Sequence, residues 1–247
     1  MFDDWGGYSS ENFMNILFRA IVLLIGGIPL YSFSEVHLVG ASRVIFEGGH
    51  RVRVDFANGG SRESLIKLNI LDGESGSENI PLVLTKPLLI LPPSGQKSVD
   101  ILYQGKGLPK DRESYFLLSV LDVPVKPGRE NTAQIALRHY YKVLYRPKGL
   151  EKPAGVVTAS LWRRKSENGT VEVLNNSPYY MTLTGVRFRD ANGKKCQVII
   201  EHVMIAPFFK KDFLDLGCSE RPSEVEFGLV KDSGQETSYK VGLQEEL

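Results

Sequence analysis

The chain has 247 residues, of which 42% are hydrophobic and 24% are charged, and its formal net charge is +1 at pH 7. This composition is that of a globular protein, and it excludes a disordered chain, while the length suits one large or two ordinary domains. The charge lacks the basic excess by which dedicated nucleic-acid-binding proteins neutralise phosphates, so we expect no nucleic-acid partner.

The first 34 residues have the order of an export signal. Met14–Arg19 form a short region with one positive charge, Ala20–Ile28 form an apolar run, and small residues stand just before Glu35. A membrane anchor is the alternative, but the run is shorter than the roughly 20 apolar residues that span a bilayer. We therefore predict a cleavable signal peptide over residues 1–34 and no stable membrane insertion afterwards. Acidic residues ahead of Met14 leave open whether translation starts there or at Met1.

From Glu35 onward, stretches rich in Val, Ile, Leu, Thr and Tyr alternate with Gly, Pro, Asn and Asp, a pattern typical of an all-β protein. The clearest candidate strands are Arg51–Phe56, Leu65–Leu71, Lys97–Tyr103, Tyr115–Val120 and Val156–Trp162. No stretch after residue 34 keeps an apolar period of about 3.6 residues over the length of a helix. Both halves of the chain are therefore expected to be β-sandwiches or barrels.

The segment Thr132–Tyr145 is unusually long for a strand, because it contains no Gly or Pro and has about twice the typical strand length. Ala133, Ile135 and Leu137 alternate with other residues and therefore share one face. This apolar row either faces the protein's own core or lies on an open sheet edge. The pattern alone favours the core. Lys142 favours the edge, because a charge inside a sandwich is costly without an anionic partner.

Pro147 and Gly149 end this strand and bend the chain, so we place a domain boundary between them and the next strand. The predicted domains are residues 35–147 and residues 151–247. The second domain is small for a sandwich core, and a covalent cross-link would help to hold it.

The two cysteines, Cys196 and Cys218, both lie in the last quarter of the chain. In an exported protein this favours a disulfide bond between them. Two free buried thiols are the alternative. A zinc site is disfavoured, because zinc needs about four ligands and the sequence has no C-x-x-C pair.

The sequence offers no arrangement of residues that is typical of an active site. Its four histidines, His37, His50, His139 and His202, are scattered, and neither H-E-x-x-H nor G-x-S-x-G occurs. The stretch from Pro92 to Ser98 lacks the glycine spacing that wraps phosphates. We therefore predict a protein that is not an enzyme and needs no metal or other cofactor.

A series of short motifs occurs in a fixed order along nearly all of the chain after residue 34. They are Ser42–Phe46, Thr85–Leu88, Leu108–Phe116, Gln134–Leu137, Lys142–Pro147, Asn176–Tyr180 and Met204–Phe208. In this order they resemble the motifs of the PapD-like periplasmic chaperones of the chaperone/usher pilus pathway, beginning with a first-strand T-R-V-I-Y motif. The most specific match is L-P-K-D-R-E-S-Y-F at residues 108–116, whereas Lys86 departs from the family's T-P-P-L pattern.

This resemblance implies two immunoglobulin-like β-sandwich domains arranged as a boomerang, and a periplasmic chaperone that binds and stabilises fimbrial subunits. By resemblance, Arg43 and Lys142 hold the C-terminal carboxylate of a subunit. Ala133, Ile135 and Leu137 would be donated to the subunit as a missing strand, a process called donor-strand complementation, before delivery to the outer-membrane usher. No cofactor is implied.

Two details of the donor segment bear on the kind of subunit that would be bound. Ala133 is smaller than the residue usual at its position in the family, which weakens one contact. The loop Asp122–Glu130 is short and contains no cysteine, which resembles the branch whose subunits build rod-like pili.

Two other classes of secreted all-β protein remain as alternatives. A fimbrial structural subunit or adhesin would carry its own N-terminal donor extension and a single incomplete domain, whereas this sequence predicts two domains. A secreted β-rich hydrolase is disfavoured by the missing catalytic cluster.

Overall fold

The computed structural model describes residues 36–74, 79–124, 135–150, 160–165 and 169–245. Within these ranges the secondary structure consists of strands only, so the predicted all-β class is confirmed. No helix in these ranges meets the length and apolar character required to cross a bilayer. The predicted signal peptide, Ala133 and most of the loop after Asp122 lie outside the described residues.

Nine strands are described up to residue 150: β1 (Val36–Leu38), β2 (Arg43–Glu47), β3 (Arg51–Asn58), β4 (Ser64–Asp72), β5 (Leu82–Leu84), β6 (Leu88–Leu91), β7 (Gln96–Tyr103), β8 (Ser114–Pro124) and β9 (Leu137–Arg146). They form two sheets, of order β1-β3-β7-β5 and β2-β9-β8-β4-β6. Four of the predicted strands fall within β3, β4, β7 and β8. The long strand predicted over Thr132–Tyr145 is described as a strand only from Leu137, because its pairing with β8 ends where Leu137 meets Asp122.

The chain passes from one sheet to the other between β1 and β2. Gly40 has a φ of 76° at this crossing, a conformation that glycine adopts without a steric cost. The motif at Ser42–Phe46, which resembles a first-strand motif, lies in β2. The short strand β1 precedes it in the opposite sheet.

The first hydrophobic core lies between these two sheets and takes side chains from both. Strand β4 alternates between buried and exposed residues along most of its length, as expected of a strand with one face on a core. Fully buried members come from both layers: Phe46, Phe56, Ile66, Leu91, Ile101 and Leu118. Each such side chain contributes roughly 1.5 to 3 kcal/mol through its burial.

Eight strands are described after residue 159: β10 (Ser160–Arg164), β11 (Val171–Asn175), β12 (Met181–Asp190), β13 (Lys195–Ile205), β14 (Lys210–Phe213), β15 (Pro222–Val230), β16 (Glu236–Gly242) and β17 (Gln244–Glu245). Their sheets have the orders β14-β11-β10-β17 and β13-β12-β15-β16. The strand predicted at Val156–Trp162 is described only from Ser160, where β10 begins. A second core forms around Trp162, whose ring centroid lies 5.2 Å from that of Phe227 and 5.9 Å from that of Phe213.

Cys196 and Cys218 form a disulfide bond, as predicted, so the alternative of two free thiols is wrong. Cys196 lies at the start of β13, and Cys218 lies shortly before β15. The cross-link holds the segment before β15 against the edge of β13, where Gln197 N–H donates to Gly217 O and Val198 N–H donates to Leu216 O. A cross-link that closes a loop of this size contributes about 3 kcal/mol to stability.

Candidate functional site

The first half of β9 lies at the edge of the five-stranded sheet. β9 pairs with β8 along Leu137–Tyr145, whereas β2 pairs with β9 only along Lys142–Arg146. Within the described ranges, no strand lies beside Leu137–Tyr141 on the side away from β8. Because such an edge offers main-chain hydrogen-bonding groups, a strand from another chain can add to it.

The predicted apolar row is exposed at this edge. Leu137 follows the alternation of Tyr141 and Val143, which contact the first core. However, 43% of Leu137 and 72% of Ile135 are exposed, while Val143 is fully buried. The row therefore continues outward from the core beyond the part that the opposite sheet covers. The expectation from the pattern alone, that these side chains face the core, is wrong for Ile135 and Leu137.

Arg43 and Lys142 are direct neighbours in the parallel pairing of β2 with β9. Arg43 is buried, and its Nε has no hydrogen-bond partner among the described residues. Burial lowers the pKa of Arg43, and the attraction of Asp232 and Glu113 offsets part of this effect. Burial and the charge of Arg43 likewise lower the pKa of Lys142. Two cations held side by side repel each other, and an anion bound between them would relieve that repulsion.

Lys142 also contacts a residue that the sequence analysis did not place in the site. Its Nζ lies 2.9 Å from Nε2 of His202, which belongs to β13 in the second sandwich. Burial, followed by the charges of Lys142 and Arg43, lowers the pKa of His202. The only sequence signal for His202 was its position just before the Met204–Phe208 motif, and that signal does not indicate a contact with β9.

Acidic side chains close to the two cations are bound to Arg146. The guanidinium of Arg146 lies 2.7 Å from Glu113, 2.9 Å from Asp232 and 3.2 Å from Glu47. Among the residues that the structure describes, neither Arg43 nor Lys142 has an acidic group within 4.0 Å. The nearby carboxyl groups therefore form ion pairs with Arg146 and not with Arg43 or Lys142. The pair formed by Arg43 and Lys142 is left with excess positive charge.

Glu113 links the two sandwiches and is itself buried. Its Oε1 accepts a hydrogen bond of 2.9 Å from Nε of Arg146, and its Oε2 accepts one of 2.8 Å from the backbone N–H of Tyr180. Its own backbone N–H donates to Pro178 O at 2.8 Å. Burial raises the pKa of Glu113 to about 7, because the loss of hydration outweighs the attraction of Arg146.

We expect Glu113 to make stability depend on pH in a defined direction. Its pKa rises from 4.5 to about 7 on folding, so the folded state binds the proton more tightly. This contribution is complete below pH 4.5 and is lost as the pH rises through about 7. The free energy of unfolding, compared with that of a Glu113→Gln variant, should therefore fall by on the order of 3 kcal/mol between about pH 4.5 and about pH 7.5.

Thermal or urea unfolding of both proteins across this pH range measures the effect. The glutamine variant is the control for every other titrating group, because it lacks only the Glu113 carboxyl. A relative stability that rises with pH would contradict the prediction, since it would mean that ionised Glu113 is favoured by Arg146 more than it is penalised by burial.

Within the described ranges, no group of three or more His, Cys, Asp or Glu side chains is arranged to hold a metal ion. The cluster formed by Arg43, Lys142 and His202 consists of nitrogen groups, two of which carry positive charge. Its chemistry suits the binding of an anion.

Comparisons with known proteins place both halves of the chain in one family. Residues 38–151 match the N-terminal domain of PapD, described as a pili and flagellar-assembly chaperone, and residues 158–241 match the C-terminal domain of the pili-assembly chaperone PapD. The probable fimbrial chaperone protein ElfD of Escherichia coli is 32% identical over 202 residues, which cover 81% of this chain and 83% of ElfD.

Solved structures show the same fold. The crystal structure of the YadV chaperone of Escherichia coli has a TM-score of 0.71 and 28% identity, covering 85% of this chain and all of YadV. The Salmonella enterica SafA pilin in complex with the SafB chaperone gives a TM-score of 0.69 at 24% identity, covering 86% of this chain and 98% of the matched chain. The predicted fold of two immunoglobulin-like sandwiches is thereby confirmed.

Proposed function

Since the chain belongs to the PapD-like family of fimbrial chaperones, a family that is not enzymatic, we propose that it binds fimbrial subunits in the periplasm by donor-strand complementation. We further propose that it delivers these subunits to the outer-membrane usher. The partners are thus pilus subunits and the usher. Family-model matches over both halves of the chain speak against the alternative of a fimbrial structural subunit or adhesin.

The observation that carries this proposal is the exposed apolar pair of Ile135, just before β9, and Leu137, at the start of β9, beside an open sheet edge. Natural proteins usually protect such edges, because an unprotected edge pairs with other chains. Donor-strand complementation of pilins is itself a known form of strand addition, in which main-chain hydrogen bonds supply affinity and alternate side chains fill pockets. Ile135 and Leu137, which are exposed on one face, have the spacing for two neighbouring pockets. Ala133 would fill a third and smaller one.

Arg43 and Lys142 supply the second part of the proposed mechanism, which is an anchor for the subunit's C-terminal carboxylate. A carboxylate placed between them would receive charge-assisted hydrogen bonds, each contributing about 1.5 to 3 kcal/mol where water is excluded. Because Lys142 lies on β9 itself, a fixed terminus would set the register of the added strand along Leu137 and Ile135. The anchor therefore decides which subunit side chains meet the apolar row.

The kind of client is proposed by analogy with the matched complex, in which the SafB chaperone is bound to the SafA pilin. A pilin that lacks one strand exposes an apolar groove, and covering that groove would prevent aggregation. Release would follow when the extension of a neighbouring subunit replaces β9. This exchange needs neither a nucleotide nor a metal.

Co-expression with fimbrial subunits from the same organism would test the function. We expect soluble subunit in the periplasmic fraction only when the chaperone is present, in an equimolar complex that a peptide of the next subunit's extension dissociates. Subunits that accumulate equally well without this protein would contradict the proposal. So would a chaperone that is absent from the periplasmic fraction.

A further inference from the structure

His202 forms the one contact that links the second sandwich directly to Lys142 among the described hydrogen bonds. The ammonium of lysine can only donate a hydrogen bond, so Nε2 of His202 must accept it through its lone pair. In the client-free protein, His202 is therefore neutral and carries its ring proton on Nδ1. Its Nε2 thus accepts a hydrogen bond from the Lys142 ammonium, which would also donate to the proposed carboxylate.

The charges that face His202 come from two other strands. Lys142 of β9 lies in direct contact, and Arg43 of β2 lies close enough for its charge to act on the imidazole. On the neighbouring strand β12, the residue opposite His202 is Thr184, which is neutral and donates its hydroxyl to Glu236. Next to His202 in the chain, Glu201 is exposed to solvent. His202 is itself exposed, so a proton can reach it from water.

We propose that His202 is a third ligand of the client's terminal carboxylate and that client capture takes up one proton from solvent. This inference rests on the proposed function and deepens it. When the carboxylate binds between Arg43 and Lys142, the ammonium turns from the imidazole to the carboxylate. The freed Nε2 is protonated and donates a second hydrogen bond to the same anion.

The direction of the effect follows from the charges. In the client-free site, burial and two neighbouring cations disfavour a protonated imidazole, and they lower the pKa of His202. A bound carboxylate reverses the local field and stabilises the imidazolium, so the pKa of His202 rises on binding. A group that binds its proton more tightly in the complex makes the complex tighter as the pH falls. Each unit by which the pKa rises corresponds to a tenfold gain in affinity.

A synthetic acetylated peptide tests this, with valine alternating with threonine and lysine and with a free C-terminal carboxylate. We expect its affinity for the wild-type chain to increase about tenfold between about pH 8 and about pH 5.5. His202→Gln keeps a neutral polar side chain and should lose this dependence, so that its affinity at about pH 5.5 stays close to its own affinity at about pH 8. His37→Gln, at an exposed histidine of β1, is the matched control and should behave as wild type.

Nuclear magnetic resonance titration of the imidazoles gives a second readout that does not depend on affinity. The His202 signal is identified by its absence from the His202→Gln spectrum, and its pKa should rise when the peptide is added. A peptide with an amidated C-terminus should leave it unchanged. An unchanged His202 pKa on carboxylate binding, or an equal pH dependence in His202→Gln, would overturn this inference. Failure of the proposed function is distinguishable, because the wild-type chain would then not bind the peptide at any pH.

Discussion

Replacing Lys142 with alanine is expected to abolish recovery of fimbrial subunits while leaving the chaperone folded. Lys142 has no acidic partner within 4.0 Å in the described part of the chain, and burial together with Arg43 disfavours its charge. Its removal therefore breaks no ion pair and relieves a repulsion. The proposed complex would lose a charge-assisted hydrogen bond of about 1.5 to 3 kcal/mol, which weakens binding by roughly 10- to 150-fold.

The measurement is the amount of subunit that co-purifies from the periplasm, together with the melting temperature of the purified chaperone. Lys67→Ala is the matched control, because Lys67 is an exposed lysine on β4 of the same sheet. Recovery with Lys67→Ala should equal that of the wild type. Normal recovery with Lys142→Ala would remove the anchor role, and a large fall in its melting temperature would show that Lys142 has a structural role instead.

The sequence predicted the strands well because alternation is a local property. The alternation that predicts strands at Arg51–Phe56 and Leu65–Leu71 is contained within each segment. Both segments are strands in the structure. Alternation also places Leu137 on the same face of β9 as Tyr141, which packs against the first core. It does not reveal where the covering layer ends, and for this reason the pattern alone wrongly placed Ile135 and Leu137 in the core.

The site itself could be predicted only in part, because its members come from strands far apart in the chain. Nothing in the spacing of Arg43 and Lys142 indicates that β2 runs parallel to β9, and the resemblance to a family was needed to pair them. His202 and Asp232 were missed for the same physical reason. Each is an ordinary polar residue in its own strand or turn, and it gains a role only through a side chain that the fold brings from the other sandwich.

Replacing Ile135 with aspartate is the second change for which we expect a large effect. Because 72% of Ile135 is already exposed, a carboxylate there remains hydrated in the free chaperone, and the melting temperature should stay within a few degrees of wild type. In the proposed complex, the same side chain would have to enter an apolar groove. The complex would lose about 1.5 to 3 kcal/mol of apolar burial and would also pay several kcal/mol to desolvate a charge.

Subunit capture by the Ile135→Asp variant should therefore fall below detection in the co-purification assay. Ile90→Asp is the matched control, because Ile90 is an isoleucine that is also exposed, at 49%, and lies on β6 at the opposite edge of the same sheet. The same change there should leave capture intact, since β6 is not the proposed donor strand. Raising the salt concentration should weaken the contribution of the ionic anchor at Lys142 to subunit capture, because salt screens charges. It should not weaken the apolar contact made by Ile135, so the two contributions can be distinguished. Equal capture by the two isoleucine variants would mean that β9 is not the strand that the subunit receives.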